Sequence, residues 1–146
     1  MVARASMDRL AWLVTEESER RLGEVRDSLS ESVIGHAIEV HRTLGPGLLE
    51  STYEECLCFE LKTAGIEFRR QVSLPIVYKS VKLDCGYRMD VVVAGRLVIE
   101  LKTVEKLLPI HEAQMLTYLK LSGLSTGLLL NFHVAVLKDG IKRLVI

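Results

Sequence analysis

Two acidic residues and a lysine occupy positions where the strand pattern of this chain would favour apolar side chains. Asp90 lies in the apolar segment before a turn, and Glu100 and Lys102 lie in the apolar segment after it. Taking unpaired charges out of water costs several kcal/mol, so three such charges in a sheet need a compensating partner. A divalent metal ion with a phosphodiester substrate would be such a partner. A cross-strand ion pair on an exposed sheet face is the structural alternative.

The length of the turn decides whether the two acids share a face of the sheet. Because strand side chains alternate between faces, a two-residue loop would place Asp90 opposite Ile99, on the wrong face. A three-residue loop over 93–95 would place it opposite Val98, diagonal to Glu100. The third position of such a loop commonly needs left-handed backbone, which a glycine supplies here. We predict this loop, or a bulge with the same effect.

Oxygen ligands of the type that Mg²⁺ prefers are present around this turn. The ion keeps several waters, so two or three carboxylates and one backbone carbonyl are enough to hold it. The carbonyl of Leu101, between Glu100 and Lys102, could be that backbone ligand. Lys102 could orient or help to deprotonate a water and stabilise charge developing on the phosphorus.

A further acid lies at the start of a predicted helix. Glu50 shares a helical stripe with Tyr53, Leu57 and Leu61, which are residues of a core-facing type. A carboxylate on that stripe would suit a metal site or a polar cleft. The alternative is an acid that only complements the helix dipole near the N-terminus. The pattern leaves both interpretations open.

The helix that follows the second strand carries three polar residues on one face. His111, Gln114 and Tyr118 are spaced by three and four residues, so their side chains should lie on the same side. Such side chains can bind phosphates or bases. The alternative is an ordinary polar face turned towards solvent.

Composition indicates a single globular domain. The chain has 146 residues, of which 49% are hydrophobic and 26% charged, with a formal net charge of zero, so a protein that coats nucleic acid is disfavoured. No apolar run reaches the ~18 residues that span a bilayer, and the first thirty residues lack a signal-peptide pattern, so we expect a cytoplasmic protein without a membrane partner. Cys56, Cys58 and Cys85 match no zinc spacing and are expected to be reduced structural thiols.

The predicted order of elements is α-α-β-β-β-α-β-β, within a domain over residues 29–146 that follows a helical or disordered extension over residues 1–28. Ser28 and Glu31 form a capping box, which predicts a helix start there, and the Gly45–Gly47 segment should end that helix. The remaining predicted elements are helices over Glu50–Ala64 and Pro109–Leu121 and strands over Ile66–Val77, Val81–Val93, Arg96–Val104, Thr126–Phe132 and Lys142–Ile146.

These residues resemble the motifs of a known superfamily. The chain resembles the PD-(D/E)XK nuclease superfamily in its acid and acid-x-lysine motifs, which are Asp90 and Glu100-Leu-Lys102. It also resembles the exonuclease-type branch of that superfamily in its Gln-x-x-x-Tyr element, Gln114-x-x-x-Tyr118. Gly47-Leu-Leu-Glu50-Ser-Thr-Tyr53 resembles the signature of the family called GxxExxY proteins. The resemblance covers roughly residues 29–146.

The resemblance implies a fold and a role for each site residue. The fold would be a restriction-endonuclease-like α/β (α+β) core, a mixed central sheet of about five strands flanked by helices. Glu50 would be the helix acid, and Lys102 the catalytic base. Asp90, Glu100 and the Leu101 carbonyl would hold Mg²⁺, with Mn²⁺ as a substitute and Glu50 nearby.

The implied function is a metal-dependent phosphodiester hydrolase that cuts DNA, or RNA as a second choice, by attack of a metal-activated water. A small nuclease often dimerises to span a duplex, so a homodimer is expected, and a protein partner is a further option. The alternative is a catalytically silent nuclease-fold module that binds or regulates within a protein complex. The type of nucleic acid, exonuclease or endonuclease action, and the role of residues 1–28 stay open. Residues expected to hold the nucleic acid are Gln114, Tyr118, His111 and Arg88, with Arg69, Arg70 and Lys106 as further backbone contacts.

Overall fold

The computed structural model describes residues 16–146, with side chains from residue 28 onwards. Helix α1 spans Glu16–Leu44, α2 spans Glu50–Thr63 and α3 spans Pro109–Ser122. The predicted helix start at Ser28 is wrong, because the backbone is helical from Glu16 through that position. Serine is tolerated in a helix when its hydroxyl finds a partner, and Ser30 accepts a hydrogen bond from Arg143. The part of the extension over residues 1–15 lies outside the described residues.

The strands are shorter and more numerous than predicted. Pro75 has no amide to donate and separates β1 from β2, and a turn at Gly86, whose amide bonds to Asp84, separates β3 from β4. Two predicted long strands are therefore each divided in two. The strands are β1 Phe68–Ser73, β2 Ile76–Tyr78, β3 Val81–Leu83, β4 Arg88–Val93, β5 Leu97–Lys102, β6 Thr126–Asn131 and β7 Ile141–Val145, with a short 3₁₀ helix over Leu137–Gly140 before β7.

Five of these strands form the central sheet, in the order β1-β4-β5-β6-β7. Strands β5 and β6 are parallel and are joined through α3, whereas the other neighbours are antiparallel. Strands β2 and β3 form a separate hairpin. The predicted fold class, a mixed α+β sheet of about five strands flanked by helices, is confirmed. None of the helices in the described part of the chain is long and apolar enough to cross a membrane.

The two faces of the sheet bury different amounts of apolar surface. Helices α1 and α2 cover one face with the larger core, which includes Tyr53, Val91 and Ile99. Helix α3 covers the other face with a smaller core around Met115 and Val98. The approach of α3 to β6 needs a glycine at position 127, because a Cβ there would collide with the Met115 thioether. Glu100 alternates with Ile99 and Leu101, which belong to the larger core, so its side chain lies on the α3 face of the sheet.

The turn between β4 and β5 sets the register of the two acids. It has the predicted three residues and left-handed backbone, but it spans 94–96, with positive φ at both Ala94 and Gly95. Regular pairing ends at Val91 with Ile99, and the same register extended by one residue sets Asp90 opposite Glu100. The predicted position opposite Val98 is wrong, because this register moves the partner of Asp90 two residues along β5. In this register the two acids lie on one face of the sheet.

Candidate active site

The β4–β5 ladder gives way to side-chain hydrogen bonds where the two acids meet. The last regular pair is Val91 with Ile99. Beyond it, the Asp90 amide donates to Glu100 Oε1 at 3.0 Å, and the Leu101 amide donates to Asp90 Oδ2 at 2.9 Å. Each amide engages one oxygen of a carboxylate. The two acids are thus fixed by the backbone of the opposite strand at the end of the β4–β5 ladder where regular pairing stops, which we call the opening.

Burial makes this carboxylate pair electrostatically unfavourable when both members are ionised. Glu100 is only 4% exposed, and burial together with the charge of Asp90 raises its pKa to about 8. Burial also raises the pKa of Asp90, against the hydrogen bond from the Leu101 amide. A proton or a cation is needed to hold the pair. A hard divalent cation fits these oxygen donors, so the residues present suit the metal that the sequence predicts.

Lys102 joins a short chain of hydrogen bonds to α3. Its Nζ donates to Gln114 Oε1 at 3.3 Å, and Gln114 Nε2 donates to Tyr118 Oη at 2.9 Å. Burial, and then the charge of Glu100, raises the pKa of Tyr118. Gln114 and Tyr118 therefore face the acids rather than solvent. The structure brings together Glu100, Lys102, Gln114 and Tyr118 on one face of the sheet.

Glu50 reaches the same opening from the other side of the sheet. It is the first residue of α2, and its side chain stays exposed at the edge of the site. Partial burial and the charge of Asp90 raise its pKa, whereas Lys102 and the Thr103 amide lower it. Glu50 is therefore within electrostatic reach of Asp90 and Lys102.

Tyr53 explains why Glu50 is placed there. Its hydroxyl donates to the Gly45 carbonyl at 2.6 Å and accepts from the Leu48 amide at 3.1 Å. Its ring is fully buried and stacks on Phe132 with centroids 4.4 Å apart. The tyrosine fixes the loop before α2 to the core, and that loop delivers Glu50 to the site.

Two residues beside Asp90, Glu54 and Gln71, were missed in the sequence. Glu54 is buried and accepts hydrogen bonds from Arg70 at 2.7 and 3.1 Å and from Gln71 at 2.7 Å. Gln71 lies between the pairs that join β1 to β4, where its partner would be Asp90, and its φ is 49°. Its amide also lowers the pKa of Asp90. Glu54 follows Glu50 by one helical turn, and that spacing was the available signal.

Other predicted residues lie further from the acids. His111 Nδ1 accepts a hydrogen bond from the Leu108 amide at 2.9 Å, so it caps the start of α3. Arg88 is exposed at the start of β4. Arg70, expected on the nucleic-acid backbone, is instead paired with Glu54 and with Glu55.

The protein ligands of a metal are few in this site. No three or more histidine, cysteine, aspartate or glutamate side chains converge to hold a metal ion within the described part of the chain. Two carboxylates, Asp90 and Glu100, form the central pair. Of the thiols, Cys58 is buried, which raises its pKa to about 11, but Cys85 is exposed and is not part of the core.

Comparisons with known proteins agree with this geometry. A family model described as PD-(D/E)XK nuclease superfamily matches residues 27–144, which include both strands of the site, α2 and α3. Searches of curated proteins and of solved structures gave no match. Because the match covers most of the chain and the mixed five-stranded sheet is consistent with a restriction-endonuclease-like fold, this chain belongs to the PD-(D/E)XK nuclease superfamily.

Proposed function

We propose that this protein is a metal-dependent nuclease that hydrolyses phosphodiester bonds of DNA, with RNA as the second candidate. The observation that carries this proposal is the opening between β4 and β5, where Asp90 and Glu100 are held by opposite amides and Lys102 stands two residues further along the same face. A purely structural ion pair would bring Lys102 to a carboxylate. Its Nζ instead donates to Gln114.

Asp90, Glu100 and the Leu101 carbonyl are the proposed holders of Mg²⁺ or Mn²⁺, with Glu50 nearby. When bound, the ion would supply positive charge to the scissile phosphate and acidity to an attacking water. Burial and the charge of Asp90 raise the pKa of Glu100 to about 8, so binding of a cation would favour release of a proton from the carboxylate pair.

The side chains around the ion have separate proposed roles. Lys102 Nζ would orient the attacking water, help to accept its proton and stabilise negative charge on the phosphate. Gln114 positions Lys102 through a hydrogen bond, and Tyr118 positions Gln114 in turn. Glu50 would contribute at the open side of the site. The proposed products carry a 5′-phosphate and a 3′-hydroxyl.

The finer family assignment and the assembly are also proposals. The motif from Gly47 to Tyr53 supports membership of the GxxExxY proteins, because its tyrosine and its glutamate have linked structural roles here. A homodimer would let two such sites act on the two strands of a duplex. Size-exclusion chromatography with multi-angle light scattering measures the mass of the protein in solution and so tests for the homodimer.

The test is a cleavage assay on single-stranded and double-stranded DNA and RNA, with Mg²⁺, Mn²⁺ or a chelator. We expect metal-dependent cleavage by the wild type, and a loss of roughly 1,000-fold in Lys102→Ala, the size expected when a group that moves a proton and stabilises charge is removed. Asp90→Ala should also be inactive. Lys62→Ala, which removes one lysine from the distant end of α2, is the control.

Two outcomes would contradict the proposal. Cleavage by Lys102→Ala at the wild-type rate would remove the lysine from the mechanism. Absence of cleavage by the wild type under every condition would favour a nuclease-fold module that binds or regulates within a complex.

A further inference from the structure

A cavity of about 610 Å³ lies beside the candidate active site, between α3, the start of β2 and the segment that follows β3. This volume is within the range of roughly 300–1,000 Å³ typical of small-ligand pockets. Gln114 and Tyr118 line the cavity and also belong to the hydrogen-bond chain that starts at Lys102. The cavity therefore shares two residues with the hydrogen-bond chain that leads to the proposed catalytic lysine.

The wall of the cavity is largely apolar and aromatic. Tyr87 contributes a ring that is 46% exposed, set edge-on to Tyr118 with centroids 6.3 Å apart and planes at 67°. Ile76, Ile110 and Leu121 add aliphatic surface. The lining residues that the structure describes include no lysine, arginine, aspartate or glutamate. Such a wall does not suit a phosphate, whereas a flat heteroaromatic ring can stack on it.

A few hydrogen-bonding groups interrupt the apolar wall. Gln114, His111 and Thr117 each present a polar side chain to the cavity. Nucleobases combine a flat ring face with polar edges, so they match a wall with these two properties. Phosphates adjoining that base would be directed to Lys102 and the carboxylates, where the charged groups are.

We propose that this cavity holds an unpaired nucleobase next to the scissile phosphate, and hence that the substrate is single-stranded or locally unpaired nucleic acid. This inference rests on the proposed nuclease function. In a duplex the bases are stacked and paired inside the helix, so a base enters a side pocket only when it is single-stranded or is extruded. Tyr87 is the stacking platform, and His111 and Gln114 face the polar edge of the base.

The test uses Tyr87→Ala with Tyr78→Ala as its matched control. Both tyrosines are exposed, at 46% and 59%, but Tyr78 is on β2 and is not among the residues that line the cavity. Both variants should fold, which circular dichroism and thermal melting verify. Binding of fluorescent oligonucleotides is measured in Ca²⁺, and cleavage is measured separately in Mg²⁺ and Mn²⁺. The oligonucleotides are a 12-mer single strand, its duplex, and the same strand made of abasic nucleotides.

We expect the wild type to bind the single strand more tightly than the duplex or the abasic strand. Tyr87→Ala should weaken binding of the intact single strand by about 5- to 150-fold, the loss expected for one stacked base, and should leave abasic binding unchanged. Tyr87→Phe should retain the wild-type affinity, because stacking needs the ring and not the hydroxyl. Tyr78→Ala should bind like the wild type.

Equal affinity of the wild type for intact and abasic strands would overturn the inference, and so would a Tyr87→Ala variant that binds the single strand as the wild type does. If cleavage occurs in either case, the nuclease function stands without the base pocket. Base-dependent binding that Tyr87→Ala removes, in a protein that cleaves nothing, would support the pocket and overturn the proposed nuclease function.

Discussion

Two neighbouring acidic groups, Glu54 and the Asp90–Glu100 pair, have different surroundings. Glu54 accepts three hydrogen bonds from Arg70 and Gln71, so its charge is matched within the protein. The Asp90–Glu100 pair receives two backbone hydrogen bonds. Lys102, the lysine on the same face, donates to Gln114. Glu54 is thus neutralised by an ion pair with Arg70. The Asp90–Glu100 pair is held by backbone amides and not by an ion pair.

This difference separates a structural charge from a functional one. A buried ion pair with good geometry keeps its members ionised and contributes to the fold. Burial and mutual repulsion raise the pKa of at least one member of a buried pair of acids, and here they raise that of Glu100. The fold tolerates that cost because the backbone amides fix both carboxylates. We infer that the second group is kept for a ligand and the first for stability.

The largest effect should come from Asp90→Asn. The amide keeps an oxygen for the Leu101 N–H but removes one charge, so cleavage should fall by roughly 100- to 1,000-fold, as for loss of a single electrostatic group in other enzymes. Mn²⁺ should raise the melting temperature of the wild type and leave that of the variant unchanged. Asp139→Asn, an exposed acid in the 3₁₀ helix, is the control. An Mn²⁺-induced shift as large in Asp90→Asn as in the wild type would contradict the assignment.

A smaller effect, on stability rather than on metal binding, is expected for Arg70→Ala. Removal of the guanidinium leaves Glu54 buried with Gln71 as its remaining donor. The free energy of unfolding should fall by about 1–3 kcal/mol, less than for a fully buried pair because a third of the Arg70 side chain is exposed. Urea denaturation measures this change.

The neighbouring Arg69→Ala is the matched control, since it removes the same charge from an exposed position of β1. It should change stability by less than ~0.5 kcal/mol. Equal losses in the two variants would show that Arg70 acts through general charge rather than through Glu54, and the contrast between the two acidic groups would fail.

The smallest effect is a pH dependence of the metal-free protein. Glu100 has a folded pKa of about 8, above its ordinary value of 4.5, so the folded state binds more protons between these values. The free energy of unfolding should therefore fall as the pH rises from 5 to 8, by about 1–2 kcal/mol after relaxation. Glu100→Gln should flatten this dependence. Thermal melting in chelator across this range measures it, and a Glu100→Gln profile parallel to that of the wild type would exclude the carboxylate as its cause.

Local sequence patterns were sufficient for part of the candidate site. Gly123 and Pro109 mark the ends of α3, and the helix has the predicted extent within one residue. Spacing along β5 placed Glu100 and Lys102 on one face, and spacing along α3 placed Gln114 and Tyr118 together. These relations depend only on the repeat of one strand or one helix, so the sequence carries them directly.

Relations between elements were predicted less well. The β4–β5 turn has the predicted length, but its position differs by one residue, because hydrogen bonding across the whole hairpin chooses the register. Gln71 adopts a left-handed conformation that no turn signal announces. The division of one predicted strand into β1 and β2 could have been predicted from Pro75, but the alternation of apolar residues on either side favoured a continuous strand.

The sequence by itself determined the type of sheet, the acids and lysine at its turn, and the superfamily to which they point. The strands and the unusual placement of the charges follow from side-chain periodicity and from the solvation cost of charge, whereas the superfamily and its mixed sheet follow from the resemblance of the motifs. Tertiary structure decided that Glu54 forms an ion pair with an arginine, whereas Asp90 and Glu100 accept hydrogen bonds from backbone amides. Arg70 and Glu54 are sixteen residues apart, and only the packing of α2 against β1 makes their charges neutralise each other. The same packing leaves Asp90 and Glu100 facing an opening, since satisfaction of a buried charge depends on all of its neighbours in space.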